Sequence, residues 1–427
     1  MTEITEIALQ KAQSVLESEC SPIGLMASPE GSHVWARDSV ITSLGALLSP
    51  GHENCLGVSL VTLAEQQSEL GAIPNNVSVV TGRLDHTNAG SVDSNLWFIL
   101  GHLFHQRQFG DVDFLRLQWP TLEKAILWLR YQDSNGCGLL EVHEAADWAD
   151  LLANRFNILY DNVLWYAALR AMAEMSRSLG LDGEHFDEMA DDVRHKIRIV
   201  LWVGVENEAE WRPDCPGHTE WKHTLSQVDP VLVKRPFFLP YVAFRDFGDY
   251  CDVFGNLLAI LFGVANPAQE KRILDYMHQV GIAEPYPVRV LHPIIHPGNK
   301  DWREYYRNNN LNLPEQYHNG GHAQWQIESL WRTSIDDHRG QVTTADNPAI
   351  KKKPTYAEEI AHTAEQADHS EQDEDFHQVR SQPDRTAVGR QAGKPARAHQ
   401  RQDDQGEGQN DEQDRDRQDQ PELRGAF

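Results

Sequence analysis

The sequence predicts an all-α, largely helical domain, and three features of the chain support this fold class. Apolar residues recur with helical spacing, and the segment 122–129 carries Leu, Ala, Ile and Leu at the i, i+3, i+4 and i+7 positions. Loops rich in Gly, Asn, Asp and Pro separate such segments. Strand signals are few, with one short candidate at residues 138–142. We therefore expect packed helices with functional loops at one end.

The same periodicity predicts the individual helices in chain order. Residues 1–20 are predicted to form an amphipathic helix with interspersed Glu. They lack the basic start and the apolar core of a signal peptide. The other predicted helices have apolar stripes of the same kind and cover residues 56–64, 96–103, 159–172 and 253–261.

Composition limits what the protein can bind. The 427-residue chain has a formal net charge of -26, and this excess of Asp and Glu argues against nucleic acid, which is bound by clustered Lys and Arg. No segment approaches the roughly 18–20 apolar residues that span a bilayer. We therefore expect neither a nucleic-acid nor a membrane partner, and the sequence leaves the oligomeric state open.

The cysteines predict a reducing compartment. They are odd in number, scattered and free of any C-x-x-C pair, which disfavours a disulfide framework or a zinc knuckle. We therefore expect reduced thiols in a cytoplasmic protein, at Cys20, Cys55, Cys137, Cys215 and Cys251.

The amino-acid composition of the sequence changes abruptly near residue 340. Beyond this point Gln, Asp, Glu, Arg and His dominate, while Trp, Met and Cys vanish. Such a segment cannot bury enough apolar surface to offset its chain entropy. We expect a folded domain over residues 1–335 and a disordered polar tail over residues 336–427.

Two clusters of polar and aromatic residues stand at the start of predicted helices. Trp35, Arg37 and Asp38 belong to the first cluster, and Asp93 and Asn95 belong to the second. A sugar site would stack Trp on the sugar ring and accept hydroxyl hydrogen bonds at Asp. Helix capping and turn chemistry explain many of the same residues, so both interpretations stay open.

A third cluster concentrates acidic residues ahead of the helix predicted at 159–172. If this stretch is helical, Asp147 and Asp150 share one face at i, i+3, and their mutual repulsion raises the pKa of one of them. A raised carboxyl pKa is what a general acid near neutral pH requires. A solvated acidic helix start explains the charges equally well.

The fourth cluster, residues 296–306 and 313–321, is dense in polar and aromatic side chains among Gly and Pro. This composition suits a binding loop better than a core. The nearby His292 and His296 are separated by a Pro-broken segment, which is a poor template for helical metal ligands. We therefore expect no metal and no cofactor.

Taken in order, these clusters resemble motifs of the (α/α)6-barrel glycoside hydrolases, which include the glucosidase domain of glycogen-debranching enzymes (amylo-α-1,6-glucosidase) and the alkaline/neutral invertases. Residues 35–39 are similar to the debranching-type W-x-R-D-[ST] loop. Residues 148–150 and 159–166 are similar to that family's W-M-D loop and its N-A-L-W-Y helix. Residues 317–321 and 254–257 instead resemble the Y-H-N-G-G and G-N-L segments of the invertases.

The resemblance implies an (α/α)6 toroid and an inverting mechanism. In this mechanism a carboxylic acid protonates the leaving oxygen while a second carboxylate, about 6.5–9.5 Å away, activates water. The W-M-D match places the acid on Asp150 rather than on Asp147. The residues implied for the sugar subsite are Trp35, Arg37, Asp38, Asp93, Asn95, Trp148, Asn162, Trp165, Tyr317 and His318.

The motif around the base glutamate of the family is missing from this sequence. The expected W-P helix does not follow Gly321, and the expected region of the base lies in the polar tail. Glu358, Glu359 and Glu365 stand at plausible distances but lack the W-P-E-type motif, so the base is left unassigned. One hypothesis is a frameshifted or otherwise replaced C-terminus, which would leave the toroid incomplete.

The sequence therefore predicts a cytoplasmic glycosidase that cleaves an α-glucosidic bond in a small saccharide or glucan, as in glycogen debranching. A sucrose-cleaving, invertase-like β-fructofuranosidase is the alternative, because the motifs divide between the two relatives. A catalytically impaired sugar-binding relic and a sugar isomerase that uses His318 as acid and base are further alternatives.

Overall fold

The computed structural model describes residues 3–27, 32–47, 51–52, 54–81, 84–85, 92–202, 235–284 and 288–321. All of them lie within one compact unit, Met1–Gln366. The predicted polar tail, residues 336–427, lies outside the described residues.

Within the described residues the chain forms ten helices and ten short strands. The helices are α1 Glu3–Glu19, α2 Ala36–Ala46, α3 Cys55–Glu65, α4 Val92–Phe109, α5 Val112–Arg130, α6 Leu159–Ser178, α7 Glu184–Val200, α8 Val253–Leu261, α9 Pro267–Gln279 and α10 Glu304–Asn308. The strands are β1 Cys20–Ser21, β2 Gly24–Leu25, β3 His33–Trp35, β4 Asn76–Ser78, β5 Leu84–Asp85, β6 Asn157–Ile158, β7 Tyr241–Ala243, β8 Asp246–Phe247, β9 Cys251–Asp252 and β10 Leu291–His292.

The strands pair locally and leave the core to the helices. All pairs are antiparallel, in two three-stranded sheets, β3-β4-β5 and β6-β7-β8, and two two-stranded sheets, β1-β2 and β9-β10. Strands of two or three residues cannot bury a sheet face, so they serve to fix the loops that connect the helices.

The helices α2 to α7 form three consecutive helical hairpins, and α8 and α9 follow them in chain order. The first helices of these four pairs, α2, α4, α6 and α8, pack against one another in chain order, and we call them the inner helices. The helices α4 and α6 are buried along most of their length, whereas α5, α7 and α9 bury one face only. An inner layer of buried helices inside an outer layer of amphipathic ones is the arrangement of an (α/α)6 toroid, so the predicted fold class is confirmed.

Three inner helices carry a buried asparagine as their fourth residue, namely Asn95, Asn162 and Asn256. Asn162 accepts a hydrogen bond from the backbone N–H of Leu140 at 2.7 Å and donates to its carbonyl at 3.2 Å. Asn256 binds the N–H and the carbonyl of Phe238 in the same way, at 2.9 and 3.2 Å. The amide side chains therefore attach an extended backbone segment to the inner helix that follows it, and supply hydrogen-bond partners to its buried backbone groups. The carbonyl of Leu140 has a second donor, Asn157, at 3.1 Å.

The structure corrects three local predictions. The stretch around Asp147 and Asp150 forms a series of turns and is not helical. The predicted strand at residues 138–142 contributes only an isolated bridge between Val142 and Phe156. Two of the cysteines expected to be reduced, at positions 20 and 55, form a disulfide with Cα atoms 6.3 Å apart. Among the helices described, none is both long and apolar enough to cross a membrane.

Candidate active site

The second residue of every inner helix points to one site. These residues are Arg37 of α2, Asp93 of α4, Tyr160 of α6 and Phe254 of α8. Arg37 Nη1 and the Tyr160 hydroxyl each donate to Asp93 Oδ2 at 2.9 Å, and the rings of Tyr160 and Phe254 lie 5.1 Å apart. The N-terminal ends of the inner helices therefore meet in a mixed polar and aromatic floor.

Arg37 is the cation of this floor. Its side chain is 15% exposed and contacts the carboxylates of Asp93 at 2.9 Å and Asp38 at 3.4 Å. Burial disfavours the charged form, but the two carboxylates outweigh it and raise the pKa of Arg37. Arg37 therefore stays charged and presents a fixed guanidinium to a ligand above the floor.

The turn that follows Asp147 places Asp150 next to the floor formed by the ends of the inner helices. The side chain of Asp150 is 42% exposed, while its Oδ1 atom is buried and lies 3.6 Å from Nδ1 of His318. Burial and the nearby Asp93 raise the pKa of Asp150, and Arg37 opposes this shift. Burial, with Arg37 adding to it, lowers the pKa of His318 to about 3, so His318 is neutral at neutral pH and forms no ion pair with Asp150.

Aromatic rings line one side of Asp150. Trp148 packs edge-on against His318 at 4.9 Å and against Phe254 at 5.2 Å. Tyr317 stacks on His318 with ring centres 3.9 Å apart and is 46% exposed. An exposed aromatic face beside a carboxyl group is the combination that binds sugar rings.

Ionic contacts hold the turn that carries Asp150. Arg303 donates twice to the carboxylate of Glu144, both times at 2.6 Å, in a bidentate pair. Arg155 pairs with Asp246, which lies on β8. A neutral contact adds to these, because Asn312 donates to the carbonyl of Leu151 at 2.9 Å. Both ends of the turn are therefore attached to loops from the second half of the domain.

The structure thus brings together Arg37, Asp38, Asp93, Trp148, Asp150, Tyr317 and His318, all of which the sequence predicted as site residues. Tyr160 and Phe254 were missed. What identifies Tyr160 and Phe254 is their place as second residues of inner helices. This place can be recognised only when the first residue of each helix is known.

Other predicted subsite residues have their polar groups occupied by the backbone. Asn95 accepts from the N–H of Ile73 at 2.8 Å and donates to two carbonyls, and Asn162 binds Leu140 as described above. Trp165 is 2% exposed and donates its indole N–H to the carbonyl of Gly138 at 3.2 Å. For these three residues the structure shows contacts with the backbone, and their contact with a sugar stays a prediction.

Trp35 stands apart from this group. It is the last residue of β3 and the N-cap of α2, it is partly buried, and its ring lies 6.3 Å from that of His33. Trp35 therefore borders the floor through its neighbour Arg37, and its contact with a sugar stays a prediction.

The predicted repulsion between Asp147 and Asp150 is replaced by a different pair. Asp147 is 1% exposed and its pKa is raised to about 7, first by burial and then by the charge of Asp93. Its carboxyl group contacts that of Asp161, which the sequence did not single out. Asp150 owes its raised pKa chiefly to its own burial.

Neither a catalytic base nor a metal site emerges from the described residues. Glu315, the glutamate nearest to the matched Y-H-N-G-G segment, is exposed, and Glu328 lies outside the described part of the chain. Among the residues described, no group of three His, Cys, Asp or Glu side chains could hold a metal ion.

Two family models match this chain. Residues 32–209 match the six-hairpin glycosidase domain of bacterial α-L-rhamnosidases, and residues 244–400 match the alkaline and neutral invertases. Each match covers less than half of the chain. The curated proteins contain no match.

Solved structures share the fold at low sequence identity. A mannosylglycerate hydrolase from Thermus thermophilus, in complex with Tris and D-glycerate, is 13% identical with a TM-score of 0.51, over 77% of this chain and 87% of the other. A rhamnosidase from Klebsiella oxytoca with rhamnose bound is 15% identical with a TM-score of 0.46, over 66% of this chain and 48% of the other. The chain thus spans about half the length of that rhamnosidase.

Both family models describe glycosidases and the fold is that of the six-hairpin glycosidases, so the predicted resemblance to the (α/α)6-barrel glycoside hydrolases is confirmed. Within that class, the first half of the chain is similar to the rhamnosidase domain and the second half to the invertases.

Proposed function

We propose that this protein hydrolyses an α-glucosidic bond of an oligosaccharide or glucan with inversion, and that Asp150 is its general acid. The observation that carries the proposal is the environment of Asp150. Its carboxyl group is partly buried, its pKa is raised, and it lies beside a cluster of aromatic rings in which Tyr317 is exposed, within the field of the Arg37 guanidinium. A carboxyl group that keeps its proton towards neutral pH can protonate a leaving glycosidic oxygen.

The neighbouring side chains supply binding. The carboxylates of Asp38 and Asp93 accept hydrogen bonds from sugar hydroxyls, and Arg37 donates to them. Trp148 and Tyr317 offer apolar surface for the sugar ring. The neutral His318 leaves the proton on Asp150, because a cation at 3.6 Å would favour the carboxylate instead. The second carboxylate that inversion requires is not assigned to any residue.

Sucrose is the second candidate substrate. It is favoured by the match of residues 244–400 to the alkaline and neutral invertases. The products distinguish the two candidates, because a glucose oligosaccharide or glucan releases glucose without fructose, whereas sucrose releases glucose and fructose in equal amounts.

The experiment compares the full chain with Asp150→Asn on maltose, isomaltose, a branched glucan and sucrose, with free sugar and the anomer of the product followed by NMR. We expect turnover with inversion by the natural protein and a loss of about 10²-fold or more in Asp150→Asn. The control is Asp275→Asn, since Asp275 is a surface carboxylate on α9 with 64% exposure. Equal turnover by Asp150→Asn would refute the role of Asp150, and binding without turnover in the natural protein would identify the sugar-binding relic.

A further inference from the structure

Four carboxyl groups are buried beneath the turn that carries Asp150. They belong to Asp93, Asp147, Asp161 and Asp252, and their exposure ranges from 0% to 4%. Arg37 pairs with Asp93, but among the described residues no cation contacts the other three. A buried carboxylate without a cation or a hydrogen-bond donor is costly, so at least part of this group must be protonated.

Asp147 and Asp161 touch each other within this group. Their carboxyl groups are close enough for each to shift the pKa of the other, and Asp147 Oδ1 accepts from the N–H of Ala149 at 2.7 Å. Within the described part of the chain, Asp147 Oδ2 and both oxygens of Asp161 have no donor. Two carboxylates in this position would repel each other, whereas one proton turns the same contact into a hydrogen bond.

We propose that Asp161 keeps a proton at neutral pH and donates it to Asp147, and that this buried acid pair positions the turn from which Asp150 projects. The hydrogen bond leaves Asp147 Oδ1 free for the N–H of Ala149. Ala149 lies between Trp148 and Asp150, so the bond to its N–H fixes the direction in which both side chains leave the backbone. Asp147 and Asp161 are then positioning residues, and this catalytic consequence rests on the proposed role of Asp150.

The hydrogen bonds around the pair assign the proton to Asp161. Asp147 Oδ1 accepts from the N–H of Ala149 at 2.7 Å, which favours a carboxylate at Asp147, whereas neither oxygen of Asp161 has a donor among the described residues. Burial and the neighbouring Asp147 also raise the pKa of Asp161 well above its ordinary value. The other groups that face the pair are the Tyr160 hydroxyl, which is neutral and donates to Asp93, and Arg37, whose charge is engaged by Asp93.

The proton can be tested without any enzymatic activity. In the unfolded chain an Asp loses its proton near pH 3.9, so between that pH and its raised folded pKa the folded protein binds one more proton than the unfolded one. The stability of the natural protein therefore falls as pH rises through this window. Asp161→Asn keeps a donor but has nothing to titrate, so this contribution disappears.

We expect the folding equilibrium constant of the natural protein to fall up to tenfold per pH unit relative to Asp161→Asn between about pH 4 and pH 7. Urea unfolding of the full chain at a series of pH values measures this ratio. Asp275→Asn, a change at an exposed carboxylate, should follow the natural protein. A pH-independent ratio between Asp161→Asn and the natural protein would overturn the assignment of the proton.

The positioning role is tested by comparing Asp161→Asn with Asp161→Leu, which has a similar size but no donor. We expect Asp161→Asn to keep kcat within a few-fold, and Asp161→Leu to lose at least tenfold in kcat with little change in KM. Equal kcat in the two variants would overturn the positioning role. If Asp161→Leu does not fold, Asp161→Asn decides, because a tenfold loss of kcat in that variant would contradict a donor role.

Failure of the proposed function remains distinguishable from failure of this inference. If the natural protein hydrolyses none of the saccharides, the proposed function fails while the unfolding measurement still decides the proton. The turn can then be followed through the fluorescence of Trp148, compared with a Trp148→Phe background. A Trp148 signal that changes in Asp161→Leu but not in Asp161→Asn supports the inference, and an equal signal in both opposes it.

Discussion

Oδ1 of Asp150 lies 3.6 Å from Nδ1 of His318, and among the described residues neither atom has a hydrogen-bond partner. Both atoms are buried, but they belong to residues whose pKa values move in opposite directions. Burial raises the pKa of Asp150 and lowers that of His318. Each group is therefore pushed towards its neutral form, and the pair can hold a proton on the carboxyl group.

This relationship predicts the pH dependence of hydrolysis. Because the pKa of Asp150 is raised, kcat should decline with rising pH only above the ordinary Asp value of about 3.9. His318→Gln should leave this decline at the same pH, because it exchanges one neutral side chain for another. The measurement is a pH profile of kcat for both proteins. A decline that moves up by one pH unit or more in His318→Gln would mean that His318 is charged in the natural protein.

The pair of Arg37 and Asp93 should dominate the stability of the floor. Arg37→Met leaves the buried Asp93 without its cation, so we expect a loss of about 3–5 kcal/mol in the free energy of unfolding. The control is Arg107→Met, because Arg107 and Glu174 form an exposed pair that is worth about 1 kcal/mol or less. Denaturant unfolding measures both. Adding Asp93→Asn to Arg37→Met should recover part of the loss, and no recovery would contradict an uncompensated charge as its cause.

The helices could be predicted from the sequence because apolar periodicity reflects burial of one helix face. The predicted segments 56–64, 96–103, 159–172 and 253–261 lie within α3, α4, α6 and α8. The predicted N-terminal helix is α1. The toroid came from the family resemblance, since periodicity indicates that a helix face is buried but not against which helix it packs.

The turn that carries Asp150 could not be predicted from the spacing of the acidic residues alone. Asp147 and Asp150 stand at i, i+3, which would share a helix face, but the side chain of Asp147 accepts from the N–H of Ala149 and replaces helix formation with a turn. The partner of Asp147 is Asp161, fourteen positions further along the chain. Contacts between residues this far apart depend on how the hairpins pack, so no local sequence pattern indicates them.

The disulfide between Cys20 and Cys55 predicts a redox-dependent stability. It closes a loop with a sequence separation of 35, which corresponds to about 3–4 kcal/mol. We expect reductant to lower the free energy of unfolding of the natural protein by this amount. The double variant Cys20→Ser/Cys55→Ser should be insensitive to reductant. Equal stability of the natural protein with and without reductant would contradict the bond.

The disulfide between Cys20 and Cys55 also bears on the predicted cytoplasmic location. Disulfides persist mainly in oxidising compartments, so this bond is unexpected in a reducing cytoplasm. Thiol labelling of the protein in intact cells would distinguish the two states. Labelled Cys20 and Cys55 would agree with the predicted location, and protected ones would contradict it.

The buried asparagine at the fourth position of α4, α6 and α8 should stabilise the folded protein. Asn256→Ala removes the partners of both backbone groups of Phe238, a residue with 0% exposure. Each buried polar group left without a partner costs about 1–3 kcal/mol, so two of them give an expected loss of roughly 2–6 kcal/mol in the free energy of unfolding.

Asn162→Ala should also destabilise the protein, but by less, because the N–H of Leu140 loses its partner while the carbonyl of Leu140 keeps the hydrogen bond from Asn157 at 3.1 Å. The control is Asn308→Ala, since Asn308 is exposed at the end of α10 and its loss should change stability by about 0.5 kcal/mol or less. Urea unfolding at a single pH compares the three variants. If Asn162→Ala and Asn256→Ala resembled Asn308→Ala, the amide contacts would not stabilise the attachment of each extended segment to its inner helix. A large effect at both positions would mean that the same contact stabilises two successive inner helices, and that a buried Asn three residues after a helix start can be used to locate inner helices from sequence.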